Sequence, residues 1–145
     1  MRTIKFKGKQ LSNGNWIVGD LNHLVDGVYI SNDNGNNMAQ VNPDTVCQFT
    51  GFTDKNGKEI YDGDVLRSDK YPYSSTEFKD RDNYFGIIKW NMNDATFYIV
   101  TIKNPKSSVN GISDGISDSI SQEKMKDFEV VGDIYDPEWK SKLNL

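Results

Sequence analysis

The sequence predicts a mainly β protein with minor α structure. Aromatic residues make up 12% of the chain, and such residues fit the pleated, half-buried surface of a strand. Short runs of apolar residues with two-residue alternation recur along the length, punctuated by Asn, Asp and Gly, which is the pattern of strands and turns. Near the C-terminal end, Asp136-Pro137-Glu138 opens a helix: a capping Asp, a Pro at the first helical position and an acid in the first turn.

The first element runs over Thr3 to Leu11. Ile4 and Phe6 point to one side, Lys5 and Lys7 to the other, which describes a half-buried strand. Asn13-Gly14 is a strong hairpin signal, and Asn15 to Val18 returns with Trp16 and Val18 on one face. Arg2, Lys5, Lys7 and Lys9 precede the first acid, Asp20. They read either as a basic face that meets phosphate or as a solvated face whose lysines protect a sheet edge.

Leu21 to Asp26 reads as a connector holding His23, the only histidine. Val28–Ser31 and Met38–Val41 form a pair of short strands around the Asn32–Asn37 tract. That tract is turn chemistry, because Asn and Gly tolerate positive φ. It lacks the acidic spacing and closing Glu of a calcium loop.

The chain is organised around Val41 to Leu66. Pro43 fixes its own φ and holds Asn42 extended, so a short turn through Asp44 and Thr45 precedes a strand to Phe52. Asp54-Lys55-Asn56-Gly57 is a turn with Gly57 at positive φ. Glu59-Ile60-Tyr61 resumes the extended chain, Asp62-Gly63-Asp64 bends it, and Val65-Leu66 enter a new strand. A Gly between two carboxylates before a β-branched run is expected at a bulge at the corner of a small barrel.

Thr45-Val46, Gln48-Phe49-Thr50-Gly51, Asp54 through Tyr61, and Gly63-Asp64-Val65 closely resemble the signature of the YopX-like family, small proteins of phages and prophages. Ile4-Lys5-Phe6 is similar to its opening strand. Val130 to Tyr135 is similar to its closing strand, with Asp133 where the family more often carries Asn. The resemblance implies a structural motif comprising Gln48, Thr50, Gly51, Asp54, Gly57, Ile60, Tyr61, Gly63, Asp64 and Gly132. It implies no enzyme activity.

Arg67 to Tyr84 reads as a long loop. It interleaves Tyr71, Tyr73, Phe78 and Tyr84 with Lys70, Lys79 and Arg81, the pattern of a stacking platform for single-stranded nucleic acid. Its acids balance its bases, so aromatic anchoring on the body or on a neighbouring subunit is the competing reading. Phe85–Asn91 and Thr96–Lys103 form a hairpin about Met92-Asn93-Asp94-Ala95, apolar enough that both faces are expected to be covered. The cover could be the N-terminal subdomain or a second copy of the chain. Asn104 to Ser121 carries the repeat Gly111-Ile112-Ser113-Asp114 and Gly115-Ile116-Ser117-Asp118. Its Gly and Ser density argues against a stable helix, so it reads as a loop ending in a helical turn through Gln122 to Lys126. Phe128 to Tyr135 is the closing strand. In the terminal helix, Trp139 and Leu143 share a face, expected to dock Trp139.

Together these elements predict an N-terminal hairpin subdomain at residues 1–60. A small SH3-like β-barrel with a short C-terminal helix follows at residues 61–145. The Gly63-Asp64-Val65 corner, the long loop, the Trp90 hairpin and the closing strand motivate the barrel.

The chemical inventory is sparse. Cys47 is the only cysteine, which excludes an internal disulfide and fits a reducing cytoplasm. A nucleophile–base pair would have to be Cys47 or a Ser with His23, and Cys47 in a strand reads better as a small buried hydrophobe. Asp62 and Asp64 are the best-placed carboxylates; they could shift one another or hold magnesium, or serve backbone geometry. No phosphate loop, dinucleotide fingerprint or zinc spacing occurs. No apolar leader opens the chain and no run approaches the ~20 residues of a membrane span. The expectation is a non-enzymatic cytoplasmic protein, in the host cytoplasm if phage-encoded, that needs no metal or cofactor. It would assemble into a homo-oligomer. Alternatively it would bind nucleic acid through Lys5, Lys7, Lys9, Lys70, Tyr71, Tyr73, Lys79 and Arg81, or modulate a host protein. Net charge is −4, so any nucleic-acid contact needs a local basic patch.

Overall fold

A computed structural model describes residues 2–69, 84–102 and 117–143. It is mainly β, with two short helices. The chain divides into two compact units, Met1–Gly51 and Phe52–Leu145.

The first unit is an antiparallel meander: β1 (Phe6–Lys9), β2 (Trp16–Leu24), β3 (Gly27–Asn32) and β4 (Asn37–Val41). β5 (Cys47–Thr53) then pairs with β1, Phe6 opposite Gln48 and Lys7 opposite Cys47. β2 is longer than the sequence suggests. Leu21–Leu24, expected as a connector, continues the strand to a turn at Val25-Asp26. Pairing with β3 holds Asn22 and His23 in register opposite Tyr29 and Val28. The Asn32–Asn37 tract makes a tight turn in which Asp33, Asn34 and Gly35 all have positive φ.

The end of β4 returns to the end of β1. Gln10 bridges Val41, the Leu11 amide donates to Gln40 O, and the Asn42 amide donates to Lys9 O. The turn Pro43–Thr45 then interrupts the ladder, and the side chain of Asn42 caps it by accepting from the Asp44 amide at 3.0 Å. The interruption would leave the Lys9 amide unpaired; the buried Thr45 hydroxyl accepts from it at 2.9 Å. Ile17, Ile30 and Val41 form the core of this unit. Gly8 lets them close up, since a Cβ there would lie 3.1 Å from Val41.

The second unit opens on the hairpin between the end of β5 and β6 (Glu59–Tyr61), with Gly57 at φ 78° in its turn. A five-stranded antiparallel sheet follows. It is built from β7 (Asp64–Ser68), β8 (Tyr84–Asn91), β9 (Thr96–Ile102), β10 (Ser117–Ser119) and β11 (Glu129–Asp133), in the order β10-β9-β8-β7-β11. Among the described residues no ladder joins β10 to β11, so the sheet is described as open rather than as a closed barrel. β10 lies in a stretch expected to be loop; its Ser and Asp residues are extended because they pair with Tyr98, Ile99 and Val100.

Both faces of this sheet are covered. Leu66, Ile88 and Ile99 face Ile60, Met125 and Phe128. Met125 comes from α1 (Gln122–Met125), which Ser121 caps. On the other face, Val65 and Ile87 pack with Trp139 of α2 (Pro137–Leu143). The second cover of the β8–β9 hairpin is thus supplied within the unit. No helix among the described residues is long and apolar enough to cross a membrane.

Candidate functional site

The structure gives the family-motif residues architectural positions. Asp54 is buried. Its Oδ1 accepts from the amides of Asn56 (2.8 Å) and Lys58 (2.9 Å), closing the turn. Its Oδ2 accepts from the Val130 amide at 2.9 Å. One carboxylate therefore fixes a local turn and a strand 76 positions away. The Lys55 amide donates to Phe128 O beside it. Asp64 accepts from the Tyr61 amide at 2.8 Å, and the Tyr61 hydroxyl donates to Glu59 at the same distance. Gly63, at φ 87°, donates to Ile88 O and accepts from the Ile134 amide. A register shift lies in β11, between Val130 and Gly132, opposite Leu66 and Val65.

Ile60 and Tyr61 are buried. Gln48 and Thr50 sit in β5, Thr50 buried, and Gly51 ends the first unit with open space where a Cβ would be. Gly132 lies under Trp139: a Cβ there would collide with ring atoms Cδ1 and Nε1. The ring N–H donates to Val131 O at 3.2 Å.

The paired acids separate in role. Asp64 is bound to backbone, whereas burial raises the pKa of the Asp62 carboxyl above 3.8. Cys47 is buried in β5 and donates to Thr45 O, while His23 is exposed on β2, with β1 between those strands. Among the described residues no group of three or more His, Cys, Asp or Glu could hold a metal ion.

Of the sequence-derived contact residues, Lys70, Tyr71, Tyr73, Lys79 and Arg81 lie outside the described residues. Lys7 and Lys9 share one face of β1, and Lys5 immediately precedes the strand. Lys7 is opposite Val18 and Lys9 is opposite Trp16, and opposed residues share a face. The Phe49 amide donates to Lys5 O, extending the β1–β5 pairing. Lys7 Nζ lies 4.5 Å from the Trp16 ring centroid and Lys9 Nζ 5.3 Å; Lys5 Nζ lies 5.0 Å from that of Phe49. These are cation–π distances. The sequence showed the lysines and Trp16. It did not show Phe49 beside Lys5, which depends on a pairing across more than 40 residues.

Two antiparallel sheets, each with its own apolar core, define the class: a mainly β protein whose distinctive polar residues hold turns and strands together. The YopX protein family model matches residues 2–138, and the chain belongs to that family. No curated protein matches it. Among solved structures, protein EF1440 from Enterococcus faecalis is similar at 16% identity and a TM-score of 0.45, over 92% of this chain and 94% of that one.

Proposed function

We propose that the protein is a non-enzymatic accessory protein of the phage or prophage type, acting in the host cytoplasm by assembling with further copies of itself. The observation that carries this is the apolar end of the β8–β9 hairpin. Trp90 is 41% exposed and Met92 86% exposed. The Trp90 ring meets Phe97 edge-on at 4.8 Å, which fixes its orientation and leaves apolar surface facing outward. Such a patch can pair with itself about a two-fold axis.

Strand addition is a poorer route to assembly for the second sheet. On the β11 edge, the Val130 amide is taken by Asp54, Val131 O by Trp139 and Phe128 O by the Lys55 amide. At β10, the Lys124 ammonium pairs with Asp118 and donates to Ser119 O. These are devices that blunt sheet edges. Engagement of Asp54 and Asp64 with backbone supports a non-catalytic role for the motif.

Size-exclusion chromatography with light scattering tests the reading. A defined multiple of 16.5 kDa is expected, and Trp90→Ser with Met92→Ser should reduce it. A monomer at micromolar concentration overturns the proposal.

A further inference from the structure

We propose that the lysine face of β1 is a binding surface for single-stranded nucleic acid. This rests on a different surface from the assembly reading and stands independently of it.

Lys7 and Lys9 alternate along β1 and Lys5 precedes it, its carbonyl still paired to the Phe49 amide, so along extended chain the stems leave the backbone at intervals of roughly 6.6 Å. A stretched single strand spaces its phosphates by a comparable length. The three ammonium groups lie over two rings, the half-buried Trp16 and the buried Phe49, so the cations flank one accessible π surface, that of Trp16. That is the combination that lets a protein track a backbone and stack bases without reading sequence. Lysine is suited to the exchange this requires. Its flexible stem can carry the ammonium from ring to phosphate, and a base then takes the vacated face of Trp16.

A duplex fits less well, because its bases already stack on one another and offer no open π face. An acidic peptide would satisfy the lysines but not the rings. The cationic stripe has a defined end: Asp20 is the β2 residue after Gly19, which is opposite Phe6, and so falls opposite Lys5 on the same face.

Fluorescence anisotropy with a labelled oligothymidylate, its duplex of equal length and polyglutamate tests the proposal. Three phosphate contacts on a single strand give a salt slope of about −2, so affinity should fall about 20-fold between 50 and 200 mM salt. Lys7→Glu with Lys9→Glu should weaken binding at least tenfold, and Asp20→Asn should strengthen it about twofold. Trp16→Leu keeps every charge and should abolish the preference for oligothymidylate over polyglutamate. Circular dichroism melts establish that each variant is folded, and Asp20→Asn serves as the readout should the lysine pair fail to fold. Equal affinity for all three probes overturns the proposal, as does binding unaffected by these variants or no binding at 50 mM salt.

Discussion

The indole of Trp139 lies directly on Gly132, with its N–H bonded to the carbonyl of the preceding residue, Val131. The bulge between Val130 and Gly132 sets that carbonyl outside the β11–β7 ladder, and the missing side chain at 132 lets the ring descend onto the sheet. Phe85 tilts against the ring at 5.5 Å and Lys142 covers it at 4.8 Å.

Gly132→Ala should therefore destabilise the protein by about 1–3 kcal/mol, the cost of overpacking a formed core. Denaturant unfolding measures it. In the Trp139→Ala background the same change should cost much less, because the obstructing ring is gone. Additive losses would show that Gly132 is required for another reason.

Asp54→Ala removes the acceptor of three amides and should cost about 1–3 kcal/mol, less than three full penalties because the Asn56 and Lys58 amides belong to exposed residues that water can reach. Hydrogen exchange should report the Val130 amide among the positions most accelerated. Loss of protection confined to Asn56 and Lys58 would mean that the long-range bond contributes little.

The Asp62 carboxyl has a raised pKa because burial disfavours its charged form. The native state then holds the proton more tightly than the unfolded state. The associated stability is fully present below the unfolded value near 3.8 and is lost as pH rises through the higher native value. Asp62→Asn should melt at or above the parent protein at neutral pH, with the difference vanishing below pH 3.8. A variant less stable at neutral pH would show that the carboxylate makes a favourable contact.

Trp90→Ser should lower stability by about 1–3 kcal/mol, the edge-on pair with Phe97 together with the covered part of a ring that is 41% exposed. Thermal melts of a dilute sample check this. The same variant then reports assembly without confusion from unfolding.

Much of the local structure was legible in the sequence, because local chemistry decides it. Pro43, Asn42 and Gly57 fix turns within four residues of themselves, and Asp136-Pro137 starts α2, the Glu138 amide bonding Asp136 at 2.9 Å. What stayed hidden depends on distant partners. Ser117–Ser119 has poor strand propensity and is extended only because β9 is beside it. Leu21–Leu24 reads as a connector until β3 pairs with it. Asp54 reads as a turn residue; its bond to Val130 leaves no trace in spacing. Lys5 to Lys9 were visible as charges, while Phe49 joined them only through the fold.

The Asp54–Val130 bond has a consequence for synthesis. The strands of the first meander are neighbours in sequence, so each can pair as soon as the next has left the ribosome. The second sheet pairs in the same way from β7 to β10, but its last strand does not. Its β7 waits for β11, paired Arg67 to Glu129, and the Asp54 carboxylate waits for the same strand. A nascent chain halted before residue 129 carries a finished first sheet, an open β7 edge and a turn lacking its anchor. That interval, rather than the finished molecule, is when the chain most needs shelter from pairing with its neighbours.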